Sequence, residues 1–382
     1  MSAPDVITWD DQRLKRDRLA LLQNEMARQG VGALFLNEGV HQRYALNMEV
    51  PGSEVLVPVE GEAIVFSRPR DEAYIRARHG TVRPRLADSE TAIPQAGRSP
   101  TAVGLAGVLE DLHLEREPLA IDTLGVKDLL DLVALGINVV EAEPVIERTW
   151  TVKTPDEIEI YRTMGRQYIS ALGAFRDAIR PGVTERELAS VATFSWLQAG
   201  GEDMAQLNIC AAENMNPWRR WPTERRVEPG ELVGIDLHGR GPNGLRGDAS
   251  TTFFVGDEAP VDVRDLYRQA FDYLQGAISV FRAGQSLVET TAMVPTVPER
   301  YREQQHNYNV AHAIGMGSSG YPHLDPKRKP IDDALRPNQV LSIECYFGEV
   351  GSTRAVKLEE QIVVHDGAPE ILGPIPVDDR LL

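Results

Sequence analysis

Along residues 1–151 the apolar positions switch repeatedly between two periods. Leu19, Leu22 and Met26 recur at helical spacing, and Gly30 ends that face. A short apolar run at 31–36 follows directly and predicts a strand. Similar runs at 54–59, 63–66, 119–122 and 137–140 predict more strands, with helical stretches at 71–78 and 127–132 between some of them. Helices interleaved with short apolar strands predict an α/β domain over 1–151.

The pattern changes at 152–157. Thr154 suits an N-cap, Pro155 the first helical position and Glu157 the reciprocal position of a capping box. Beyond them Ile158, Tyr161, Gly165, Tyr168, Leu172, Phe175 and Ile179 step by threes and fours, one helix face over about six turns. Pro181 and Gly182 end it, and Thr184 with Glu187 forms a second capping box. Strand-like runs return at 232–236, 251–255, 340–345 and 355–364, which predicts an α+β domain over 152–382.

Composition narrows the function classes. The chain has 382 residues, 42% hydrophobic and 25% charged, as expected of a globular protein of two domains at roughly 150 residues each. No apolar run reaches the ~18 residues of a membrane helix. The first residues lack the apolar stretch of a secretory signal, and two cysteines suit a reducing compartment, so a cytoplasmic protein is expected. A net charge of −17 disfavours nucleic-acid binding, which needs a basic surface, and is compatible with a cation site.

The chemistry-bearing residues sit inside the strand patterns. An apolar strand runs into Asp236, with His238 two residues on along the same face. Asp248 opens the next strand, and Glu344 and Glu359 interrupt two others that are otherwise apolar. Singly, Asp236 and Asp248 read as turn residues. Together, four carboxylates in one domain suggest a shared cation, because a buried carboxylate is costly unless paired or metal-bound. His312, in a Gly-rich segment, adds a nitrogen donor.

Order and spacing of this set resemble the pita-bread superfamily of methionine aminopeptidase, prolidase, aminopeptidase P and creatinase, over roughly residues 152–375. The resemblance implies a pita-bread catalytic domain behind a creatinase-type N-terminal domain. It implies a dinuclear centre held by Asp236, Asp248, His312, Glu344 and Glu359, with Asp248 and Glu359 bridging. Two divalent transition-metal ions (Fe, Mn, Zn or Co), a small-molecule substrate and a homodimer follow from the same resemblance. Within the superfamily the chain is most similar to the dimethylsulfoniopropionate lyase branch. The two aspartates are one residue further apart than in the peptidases, and the segment Asn214, Met215, Asn216, Pro217, Trp218 with Trp221 looks like that branch.

The chain also departs from its relatives. Two further histidines of the peptidases correspond by position to Arg219 and Ser319, and neither side chain shuttles protons near neutral pH. Where the lyase branch has an Asp two residues after the first ligand, this chain has His238. Where that branch has an acidic residue as proton acceptor, it has Ser318. His238 and Ser318 are therefore the candidate catalytic residues, with His238 either base or added ligand. Trp218, Arg219, Trp221, Tyr321 and Tyr346 are candidate substrate contacts, since aromatic faces suit an onium group and a guanidinium, from Arg219 or Arg220, suits a carboxylate. The expected function is a dinuclear-metal enzyme acting on a small carboxylate-bearing substrate, by C–S lyase or related lyase or hydrolase chemistry. The alternatives are an Xaa-Pro dipeptidase and a non-catalytic binding protein that retains the fold.

Overall fold

The computed structural model describes residues 9–88, 97–219, 221–305, 310–317, 320–325 and 333–382. Arg220, Ser318 and Ser319 lie outside the described residues. The chain divides into two compact units, Asp10–Trp150 and a second that holds Thr151–Leu382.

The first unit carries a mixed sheet of β1 (Ala33–Leu36), β2 (Glu54–Pro58), β3 (Ile64–Ser67), β4 (Val82–Pro84), β5 (Leu119–Ile121) and β6 (Val139–Glu141), in the order β4-β3-β2-β1-β5-β6. Strand β1 runs antiparallel to β2 and parallel to β5. Its side chains alternate between two cores. Leu34 and Leu36 pack with Leu22 and Met26 of the helix Asp11–Gln29, while Ala33 and Phe35 pack with Ala102, Leu105 and Leu109 of the helix Pro100–Asp111. Burial on both faces is why β1, β2, β3 and β5 read as short, largely apolar runs, whereas β4 and β6 at the two edges are partly exposed. The Asp10 carboxylate caps the first helix by accepting from the backbone N–H groups of Gln12 and Arg13, and Gly30 ends it at φ 68°.

In the second unit both expected capping boxes form, Thr154 with Glu157 and Thr184 with Glu187, opening the helices Pro155–Ala178 and Glu185–Gln198. The first stops one residue short of Ile179, whose backbone is extended. Gly165 allows the turn at Leu372 and Gly373 to lie on the helix, since a Cβ there would sit 2.9 Å from the Gly373 nitrogen. The sheet consists of β7 (Asp203–Ala211), β8 (Leu232–Arg240), β9 (Ala249–Phe254), β10 (Ala311–Ala313), β11 (Gly320–Leu324), β12 (Val340–Gly348) and β13 (Ala355–Val363), with β14 (Glu370–Ile371) beside β13. Its order is β11-β10-β12-β13-β9-β8-β7, every neighbouring pair antiparallel. One face meets helices: Phe253 lies 6.0 Å, ring to ring, from Phe175, and Cys345 Sγ donates to the Ala270 carbonyl of the helix Val261–Ile278. The opposite face is polar. Strand β8 continues to Arg240, so Asp236 lies at mid-strand and not at the strand end expected from sequence.

Candidate metal centre

Strand register builds the polar face in rows. Asn208 pairs with Asp236, Asp236 with Ser250, Ser250 with Glu359, and Glu359 with Glu344, so five strands contribute one lateral line of polar side chains. Two residues along, His238 follows Asp236 and Asp248 precedes Ser250. In the same row His312 pairs with Ser342, and His323 pairs with His312. On the other side of the central row Gly234 pairs with Thr252, and Lys357 with Tyr346. The period of two in each strand turns all these side chains to one face.

The central row is closely hydrogen-bonded. Ser250 Oγ donates to Asp236 Oδ1 at 2.7 Å and lies 3.0 Å from Glu359 Oε2, and Ser342 Oγ donates to Glu359 Oε1 at 2.6 Å. Asn208 donates to Asp236 Oδ2 at 3.0 Å. Lys357, buried beside the row, brings its ammonium within 2.7 Å of Glu359, 3.2 Å of Asp236 and 3.3 Å of Glu344. It serves as the internal counter-cation that three buried carboxylates need.

The neighbouring row has fewer partners. His238 Nδ1 lies 3.0 Å from Asp248 Oδ2, and Nε2 lies 3.4 Å from Asp236 Oδ1. Both contacts miss hydrogen-bond geometry, and Asp248 Oδ1 is buried without a hydrogen-bond partner. His312 Nε2 faces Glu359 at 3.5 Å, Asp248 at 3.8 Å and Glu344 at 3.9 Å. Two groups have donor atoms lying within 4.8 Å of one another and could each hold a metal ion: Asp236, His238 and Asp248, and Asp248, His312 and Glu359. Asp248 belongs to both. Glu344 joins through His312 and Lys357.

Charge follows from this crowding. Burial opposes the charge on His238, but Asp248 and Asp236 outweigh it and push the imidazole up to about 11. Burial likewise opposes charge on His312, and the Glu359, Glu344 and Asp248 carboxylates lift it to about 9. Burial and then Glu359 raise Asp248 to about 8. Burial raises Glu344 to about 7 against the pull of Lys357. For Glu359 the order reverses: burial is overcome by Lys357 and His312, and the carboxyl falls to about 2.

The candidate substrate contacts fare unevenly. Trp218 lies over β8, where a Cβ on Gly234 would sit 2.8 Å from its ring, and its ring meets Tyr346 edge-on at 6.1 Å. Tyr346 is buried, and its hydroxyl donates to the Met215 carbonyl at 2.5 Å, so it supports the Trp218 loop from below and does not offer an open face. The Arg219 side chain is exposed. Trp221 is 69% exposed, more a surface side chain than part of a closed pocket. Tyr321 turns its hydroxyl to Asp333 at 2.6 Å.

Sequence reasoning did not assign a site role to Lys357, Ser250, Ser342 or Asn208, although Lys357 stands two residues before Glu359 in an apolar strand, a readable signal of a shared face. It also missed His323. Counting along the chain from His312 led to Ser319, whereas the β10–β11 ladder, which contains a register shift, sets His323 beside His312 with ring centroids 6.4 Å apart.

Residues 146–366 match the profile of metallopeptidase family M24. The chain is 26% identical over 274 residues to the dimethylsulfoniopropionate lyase DddP of Roseovarius nubinhibens, an alignment covering 69% of this chain and 61% of that protein. It is 23% identical over 372 residues to a probable dipeptidase PepE of Mycobacterium bovis, covering 94% of this chain and 95% of that one. In fold it is similar to an Xaa-Pro dipeptidase from Bacillus anthracis, with a TM-score of 0.78 at 18% identity, over 95% of this chain and 99% of that chain.

Proposed function

This chain belongs to metallopeptidase family M24, and from that premise we propose that it is a metal-dependent enzyme acting on a small carboxylate-bearing molecule, by C–S lyase chemistry or a related lyase or hydrolase reaction. The reading rests on one observation above all: two adjoining donor groups share Asp248 on a single buried polar face. Asp236, Asp248, His312, Glu344 and Glu359 are the proposed ligands of two divalent ions. The donor set fits such ions, because Asp248 Oδ1 is buried without a hydrogen-bond partner and His312 Nε2 faces Glu359, Asp248 and Glu344 at 3.5, 3.8 and 3.9 Å. Oxygen donors with imidazole suit Mn, Fe, Co or Zn.

When bound, a divalent ion supplies Lewis-acid polarisation of a substrate oxygen. The protein's own groups do the rest. Both ring nitrogens of His238 face carboxylates, which favours a ligand or positioning role and leaves neither nitrogen turned to a substrate. Trp218 offers an aromatic face for an onium group, and Arg219 a guanidinium for a carboxylate. Lys357 keeps Asp236 and Glu359 charged, since its ammonium favours their ionised forms.

A second reading, Xaa-Pro dipeptide hydrolysis, is favoured by His323. Peptide cleavage needs a proton donor for the leaving nitrogen, and His323 is an imidazole on the site face beside His312. One panel separates the two. Protein reconstituted with Mn, Fe, Zn or Co is assayed on dimethylsulfoniopropionate, other betaines and amidino acids against Ala-Pro, Gly-Pro and Leu-Pro. The first reading expects turnover confined to the small acids. Robust dipeptide cleavage replaces it with the second, and inactivity on the whole panel with every metal counts against both. A homodimer belongs to the same proposal, and a monomeric mass by light scattering would remove it.

A further inference from the structure

The Trp218 loop is held at its neck by a residue outside both donor groups. Glu185, the first residue of the helix Glu185–Gln198, is fully buried. Its Oε1 accepts from the Ala211 backbone N–H and from Asn214 Nδ2, both at 2.9 Å. Its Oε2 accepts from the Thr223 N–H at 2.9 Å and the Thr223 hydroxyl at 2.6 Å. All four bonds run into the side chain, the pattern of a carboxylate, which only accepts. Ala211 ends β7, and Thr223 lies where the chain returns from the loop, so one side chain joins both stems. Between the stems Ala212 takes φ 44°, a left-handed conformation that an L residue adopts only when its surroundings hold it.

We infer that Glu185 is a positioning residue for substrate binding: by tying Ala211 and Asn214 to Thr223 it fixes the loop that sets Trp218 over Gly234. The inference rests on the proposed function for its substrate side and on the loop geometry alone for its mechanical side. Glu185 makes no bond to the candidate ligands, so it governs the aromatic wall and leaves the metal centre alone. Glutamine cannot replace it, because an amide offers one accepting oxygen and an NH₂ that opposes the donors on the other stem.

The test compares wild-type protein, Glu185→Gln and Thr223→Val, each loaded with Mn²⁺. In Glu185→Gln the amides of 211–223 should exchange with deuterium about tenfold faster, the loss expected on releasing buried donors. Exchange in β8 and β13 should stay unchanged, and Mn²⁺ affinity should hold within about threefold. For any panel substrate that is turned over, KM should rise about tenfold with kcat retained, the signature of lost ground-state binding. Thr223→Val, which removes one of the four donors, should loosen the same segment by about threefold, and it decides the matter should Glu185→Gln not fold. Unchanged loop exchange, or loosening of β8 and β13 to the same extent as the loop, overturns the inference. Inactivity on every panel substrate would sink the proposed function while the exchange data still judge the role of Glu185.

Discussion

The two sheets of this chain use similar apolar strands but differ in what the second face carries. In the N-terminal sheet β1 gives Leu34 and Leu36 to one helix layer and Ala33 and Phe35 to the other. In the C-terminal sheet β8 buries Ile235 and Leu237 on one face and turns Asp236 and His238 to the opposite one. The first sheet is held by removal of apolar area from water, a non-directional effect in which shape matters more than identity. On its polar face the second depends on named partners, because each buried carboxylate there needs a donor or a cation. Tolerance to substitution should therefore differ sharply between them.

The strongest way to break this contrast is to remove the ammonium buried among the carboxylates of the polar face. Lys357→Met strands three carboxylates, and loss of one partner from a buried ion group costs about 3–5 kcal/mol. Calorimetry without divalent ions should record that loss, and saturating Mn²⁺ should restore much of it. A change below ~1 kcal/mol in metal-free protein would show that Lys357 is not the counter-cation. In the N-terminal unit Leu22→Ala should cost about 2–5 kcal/mol through transfer and cavity effects, yet leave Mn²⁺ affinity unaltered in titration calorimetry. A shift in that affinity would mean that the units are energetically coupled.

Smaller effects sharpen the chemistry of the polar face. If His323 handles a proton, His323→Ala should lower kcat about 10²-fold while metal content stays full, and Ser319→Ala should do little. His238→Ala should instead lose metal and activity together. Full metal occupancy with only kcat lost would make His238 the base. The smallest expected effect is that of pH. The carboxylates around His238 and His312 lift these imidazoles to about 11 and 9 and so favour their protonated forms at neutral pH. A bound cation must displace those protons, and fewer compete as pH rises. Mn²⁺ affinity should therefore increase at least about tenfold from pH 6 to pH 8, and a flat profile would argue against these groups as ligands.

Much of the fold was legible where the signal is local. The capping boxes at Thr154 and Thr184 fix two helix starts within a few residues of sequence, and Gly30 marks a helix end. The helix Pro100–Asp111 was not read, because Ala102, Val103, Gly104, Leu105 and Ala106 form a nearly continuous small and apolar stretch with little contrast between faces. Strand β7 carries a weak signal because its first half, Asp203 to Leu207, mixes polar and apolar residues and none of them is fully buried. In the site, Asp236, Asp248, His312, Glu344 and Glu359 stand out as polar residues among apolar ones, and the fold gathers them on one face. What could not be read is who faces whom across strands. Asn208, Ser250 and Ser342 are unremarkable in sequence and become partners only through register. His323 was overlooked because a fixed offset from His312 presumes a hairpin of fixed length.

The lateral row makes the site a register gauge. Its members come from β7, β8, β9, β12 and β13, which pair over long stretches of chain, so no fragment of a few consecutive elements carries the whole constellation. A slip of one residue in β13 would send Glu359 toward the helix layer and bring Leu358 or Glu360 to the polar face. A chain whose donor strands pair out of step thus loses a ligand, and divalent ions would selectively stabilise molecules in which β8, β9, β10, β12 and β13 are correctly aligned. Non-local pairing of this kind forms late in folding, so metal capture would act as a final quality check on strand alignment.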